Sequence, residues 1–271
     1  MVACYALIRD RRKTALHLKL GRLTIHPGVV IVAIAAALDL FFAPADDLWH
    51  RLFGADVTLW GPMHLIGLTA SALLAFAGLV TGWIERSLSS DKQRRQLFAN
   101  VSLFFAVLLL GYLLLFLAEF EYNVPAFPMF WHPFLLASLP VFVFVLVAKL
   151  ELRPWAASWT AILYTVLRLF LAAGLMLTAK YNLAGVSRPM IPVVILAAFA
   201  TDIMIKRGLP LWLIGFSAGV LGLISSYPIV LLGPGNWYPQ ALLVGIPLGL
   251  GFAVVMAYLG QWVAAALKPA A

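Results

Sequence analysis

The chain has 271 residues, 63% of them hydrophobic and 11% charged, with a mean hydropathy of +0.99. A soluble domain of this length carries roughly 25% charged residues, so composition excludes an ordinary water-soluble fold and makes lipid the main solvent. The net charge of +8 does not mark a nucleic-acid binder, because the basic residues sit in short stretches between apolar runs and no nucleic-acid motif is present.

Residues 1–25 form a basic segment that carries Arg9, Arg11, Arg12, Lys13, Lys19 and Arg22. No small-residue cleavage site follows it, so it reads as a retained signal anchor. The single cysteine, Cys4, excludes an internal disulfide framework. Residues 26–271 read as one transmembrane domain. Its apolar runs predict spans at about 28–44, 61–84, 97–119, 131–148, 156–178, 189–205, 209–232 and 239–266. Backbone groups in lipid must be satisfied within their own segment, so every span is predicted to be helical. The expected fold class is all-α, a polytopic bundle of about eight helices. Gly215-x-x-x-Gly219 and Gly245-x-x-x-Gly249 have the spacing at which membrane helices approach closely, and packing within the chain is expected there before an oligomer contact.

Charge orients the bundle. With the N-terminus in the cytoplasm, the inner loops hold Arg86, Lys92, Arg94, Arg95, Lys149, Arg153, Lys206, Arg207 and Lys268, and the outer loops only Arg51, Lys180 and Arg188. That asymmetry predicts an even number of crossings with both termini cytoplasmic, as in a bacterial inner membrane. Anionic lipid headgroups are the expected partners of the inner loops. Asp46, Asp47, Asp56, Glu119 and Glu121, with His50, His64 and His132, fall at the outer, periplasmic side; His17 and His26 fall at the inner one.

The stretch between the first two spans carries the chemistry. Asp46 and His50 are four residues apart and face the same way on a helix. His64 opens the second span, and a short connection can fold it back toward them. One carboxylate and two imidazoles suit copper, zinc or iron. Asp56 is a further candidate, as a ligand or as a group that orients an imidazole. A second outer cluster, Glu119-Phe120-Glu121-Tyr122 with Trp131 and His132, could complete the site or form another. Three ionisable groups lie inside spans: Asp39, Arg168 and Asp202. Such groups face the bundle interior or a partner. Arg168 is expected to pair with Asp39, and Asp202 to reach toward the inner surface near Lys206 and Arg207.

The run Asp46-x-x-Trp49-His50, then Asp56, then Pro62-x-His64 resembles the metal-site motif of the copper membrane monooxygenases, in the C subunit of the particulate methane and ammonia enzymes. The resemblance implies a copper site with Asp46, His50 and His64 as ligands, a small lipophilic substrate, partner subunits and an electron donor. This chain has one extra residue before Pro62-x-His64, and in a continuous helix that would turn His64 by roughly 100°. Pro234-Gly235-Asn236-Trp237, with Met190-Ile191-Pro192 and Asp202, is similar to the closing region of the A subunit of the same enzymes. Two other functions fit the sequence: a transporter or metal permease whose path is lined by Asp39, Arg168 and Asp202, and a scaffold subunit or homo-oligomer with no chemistry of its own.

Overall fold

A computed structural model describes residues 18–20, 23–54, 58–122, 130–177, 190–232 and 237–267. The described chain opens with a small antiparallel pair, β1 (Leu18–Leu20) and β2 (Leu23–Ile25), with Leu18 opposite Ile25. The other regular elements among the described residues are helical: α1 (Pro27–Phe53), α2 (Pro62–Leu88), α3 (Lys92–Leu115), the single turn α4 (Ala118–Glu121), α5 (Trp131–Lys149), α6 (Ala156–Leu177), α7 (Ile195–Lys206), α8 (Leu211–Leu232) and α9 (Ile246–Leu267), with one π-helical turn at Ala241–Gly245 before α9. The protein is thus an all-α polytopic bundle. Among the described residues seven helices are long and apolar enough to cross a membrane, counting the π turn and α9 as one.

The eighth expected crossing, 189–205, is built differently. Among its described residues only α7, 12 residues long, is helical, and about 20 are needed to span the hydrocarbon core. Pro192 has no backbone N–H and disfavours a helical residue before it. Proline is carried inside α1 (Pro44), α5 (Pro140) and α8 (Pro228), so what sets this stretch apart is that its freed backbone groups find partners on a neighbouring helix. The irregular stretch before α7 is buried at Met190, Ile191 and Val194. Non-helical backbone at membrane depth survives only where protein satisfies it. Here α8 does so: the Val193 N–H donates to Ser226 Oγ at 3.1 Å, and both Ser225 and Ser226 donate to the Val193 carbonyl. The Met190 N–H donates to the Glu121 carbonyl at 2.9 Å.

The centre of the bundle is α5, which packs on α3, α6, α7, α8 and α9. Of its span 67% is buried, against 11% for α1, which lies on the outside and packs mainly on α2. Glycine sets the tightest contacts. A Cβ on Gly215 would stand 2.8 Å from the Ala253 carbonyl oxygen of α9, and one on Gly249 would stand 2.9 Å from Phe134 Cα of α5. The two glycine pairs therefore serve packing within the chain.

Asp202 does not reach for the surface. It is buried, and its carboxylate accepts from the Ser158 N–H at 2.8 Å, the Ser158 hydroxyl at 2.7 Å and the Ala157 N–H at 3.4 Å. The residue ahead of α6 is Trp155, which offers no acceptor, so a carboxylate from α7 caps the helix and meets the positive end of its dipole. Trp155 (φ 61°) and Glu151 (φ 52°) both hold the left-handed conformation in this α5–α6 turn, at a cost of about 1–2 kcal/mol each. Asp202→Ala is expected to destabilise the bundle by about 1–2 kcal/mol, and Asp202→Asn, which keeps an acceptor, by less. The unfolding temperature in detergent measures both.

Candidate metal centre

Helix α1 runs nine residues beyond the expected end of the first span, so Asp46 and His50 are set on helix rather than loop. Gly54, at φ 87°, ends it, and the chain turns back into α2 through a connection that includes Thr58–Gly61. The extra residue of the motif falls in the 54–61 connection between the two helices, where it does not rotate His64 away.

The three side chains converge. His50 Nε2 lies 3.4 Å from Asp46 Oδ2, and His64 Nε2 lies 3.5 Å from Asp46 Oδ1. One ligand atom from each residue falls within 4.8 Å of the others, and this is the one such cluster of three among the described residues. The tautomers follow from the other ring nitrogens. His50 Nδ1 is 3.2 Å from the Gly54 carbonyl, and His64 Nδ1 is 3.1 Å from the Thr58 carbonyl. A carbonyl can only accept, so each Nδ1 is the donor in its contact, which leaves each Nε2 as the atom that faces the shared carboxylate. Backbone carbonyls commonly orient metal-binding imidazoles in this way. Asp46 Oδ1 is buried with no hydrogen-bond partner among the described residues, a state that a bound cation would relieve. The cluster is half-buried, so it can exchange ligands with the outside. Asp47 is not part of it and pairs with Arg51 at 2.8 Å.

Glu119 is placed beside the cluster and not in it. Its Oε1 accepts from the Leu59 N–H, next to the Thr58 carbonyl that holds His64. Glu119 thus holds the strap whose Thr58 carbonyl meets the His64 imidazole. Its role was hidden in the sequence because the contact is to backbone 60 residues away. Glu119→Leu is expected to weaken metal binding about 10–100-fold with all three ligands intact. Glu119→Gln, which retains the acceptor, should recover most of it in the same titration.

His132 belongs to the aromatic packing. It is 2% exposed, its Nδ1 accepts from Trp237 Nε1 at 2.9 Å, and its ring stacks on Phe120 at 3.7 Å. Asp56 and the Pro234-Gly235-Asn236 run lie outside the described residues. Arg168 pairs with Glu121, not with Asp39. The α3 helix stops at Leu115, and the separate turn α4 carries Glu121 into the bundle, where it is fully buried against α6. Asp39 lies half-buried on α1, part of neither cluster.

An apolar groove of about 410 Å³ lies at the same end of α1, lined by Phe41, Leu48, Trp49, Leu52, Phe53 and Met63 among others, on a face of the helix other than the one that carries Asp46 and His50. Trp49 and Met63 immediately adjoin His50 and His64 in sequence. No model of a protein family matches the sequence, no curated protein matches it, and no solved structure matches the fold.

Proposed function

We propose that this integral membrane protein is a copper-binding subunit of an oxygenase-type membrane complex, with Asp46, His50 and His64 as the metal ligands. The observation that carries the reading is the pair of imidazoles, each with Nδ1 tied to a backbone carbonyl and Nε2 turned to one carboxylate. Two imidazoles and a carboxylate suit copper, and the same donors admit zinc or iron. Three protein ligands leave a position open, as in sites that do chemistry rather than hold structure. Bound copper would supply the redox chemistry toward dioxygen. A small lipophilic substrate supplied from the hydrocarbon phase is part of the proposal. Partner subunits and an electron donor are part of the proposal, as is a bacterial inner membrane with the site on its periplasmic side.

One observation favours a second reading, a metal permease. Residues 190–194 are irregular and run into the short helix α7, and non-helical backbone beside a short helix often marks transport sites. Copper-loaded protein purified in detergent is expected to hold about one copper per chain by elemental mass spectrometry. Its paramagnetic resonance spectrum should show coupling to two imidazole nitrogens. Absence of bound metal after loading would sink both readings and leave a scaffold subunit. Saturable copper flux in proteoliposomes would move the assignment to the permease.

A further inference from the structure

The end of the bundle opposite the triad contains a cavity of about 910 Å³. Four cations from separate segments line it: Arg86 at the end of α2, Lys149 at the end of α5, Arg153 in the α5–α6 turn and Lys206 at the end of α7. Two acids oppose them. Asp202 has its carboxylate engaged by the start of α6, and Glu151 lies within electrostatic reach of Arg86. We infer that this cavity is a binding site for a phosphate-bearing anion, the headgroup of an anionic phospholipid.

Charge alone would not carry this, since basic loops at helix ends are ordinary topology signals. Three features make the cavity a built site. The turn that closes it holds two non-glycine residues, Glu151 and Trp155, in the left-handed conformation, and Trp83 Nε1 fixes it by donating to the Leu150 carbonyl at 3.2 Å. Two of the cations are seated on rings rather than spread into solvent. Lys206 Nζ lies 3.5 Å over Trp155, and Arg153 lies 4.7 Å over Trp159. Apolar surface for an acyl chain then continues from the cations. Trp155 stacks on Phe199 at 5.2 Å, and Trp159 and Phe199 are exposed along α6 and α7. A head held by cations over a chain lying on aromatic rings is the shape of a phospholipid, and basic pockets between helix ends are the ordinary recognition mode for anionic heads.

Native mass spectrometry of the full chain in uncharged detergent tests this, with phosphatidylglycerol and phosphatidylcholine as probes. Saturable binding of phosphatidylglycerol in preference to phosphatidylcholine is expected. Arg153→Gln/Lys206→Gln should weaken it about 10–30-fold, as removal of two cations near a headgroup implies. Lys92→Gln/Arg207→Gln, which removes the same charge from the same end outside the cavity, should leave it unchanged. Arg86→Gln is a second cavity variant, should the first not fold. Inorganic phosphate that displaces the lipid at millimolar concentration would assign the anion to a soluble phosphate; failure to displace it assigns the site to lipid. Equal loss in the cavity and control variants, or no preference between the two lipids, overturns the inference. None of these outcomes depends on metal at the opposite end.

Discussion

Replacement of Glu121 by alanine is expected to destabilise the bundle by about 3–5 kcal/mol. Glu121 is fully buried and pairs with Arg168, itself only 13% exposed, in the bundle interior. Removing the carboxylate strands a guanidinium where water cannot solvate it. The nearby Tyr164, one turn back on α6, offers only a neutral hydroxyl in compensation, buried and with no hydrogen-bond partner of its own among the described residues. The loss also reaches the irregular stretch before α7, because the Glu121 carbonyl accepts from the first described residue of that segment, Met190. For a chain of this size the unfolding temperature in detergent should fall by about 10 °C. Removal of both charges, as in Glu121→Leu/Arg168→Met, should restore most of the loss, because a buried ion pair is worth little more than a well-packed apolar pair. If Glu121→Ala is as stable as the parent, Arg168 has another partner and the pair is not what holds α4 to α6.

The double variant His50→Ala/His64→Ala should reduce bound copper from about one equivalent to background. Two of three ligands are lost, and the remaining Asp46 offers one carboxylate at a half-exposed position, which cannot hold the ion against buffer. The fold should survive. Asp46 and His50 sit on α1, of which little is buried, His64 lies in the first turn of α2, and all three side chains are partly exposed. Circular dichroism and unfolding temperature close to those of the metal-free parent would make loss of metal a statement about the site alone. Unchanged copper in the variant would place the ion elsewhere and end the case for Asp46, His50 and His64.

The fold was legible in the sequence wherever hydropathy alone decides. Seven spans could be read directly because lipid demands about 20 apolar residues in a helix. The crossing at 189–205 has the right hydropathy too, yet residues 190–194 are irregular, held by Ser225 and Ser226 of α8 at the Val193 backbone, and no window average registers partners on another helix. The metal triad was half legible. The i, i+4 spacing of Asp46 and His50 is a property of one helix, whereas the approach of His64 depends on how the 54–61 connection turns. Least legible were the partners of buried charges. Arg168 finds Glu121 because α3 ends early and α4 turns inward, and Asp202 finds the start of α6 because Trp155 cannot cap it. Both are contacts between segments about 45 residues apart, invisible to any local pattern.

The peripheral seat of α1 has a consequence for its dynamics. Two of the proposed ligands ride on α1 and the third on α2, so an ion bound there would bridge a little-buried helix to its neighbour. Binding and seating are then reciprocal: whatever loosens α1 weakens the ion's hold, and the ion in turn clamps α1. At a hundredfold excess over its dissociation constant, an ion that binds only the seated state would favour that state by about 2.7 kcal/mol. On the proposed function, chelation should therefore speed amide exchange along residues 27–53 and leave the central helix, residues 131–149, unchanged, and the first helix would then report whether the site is filled.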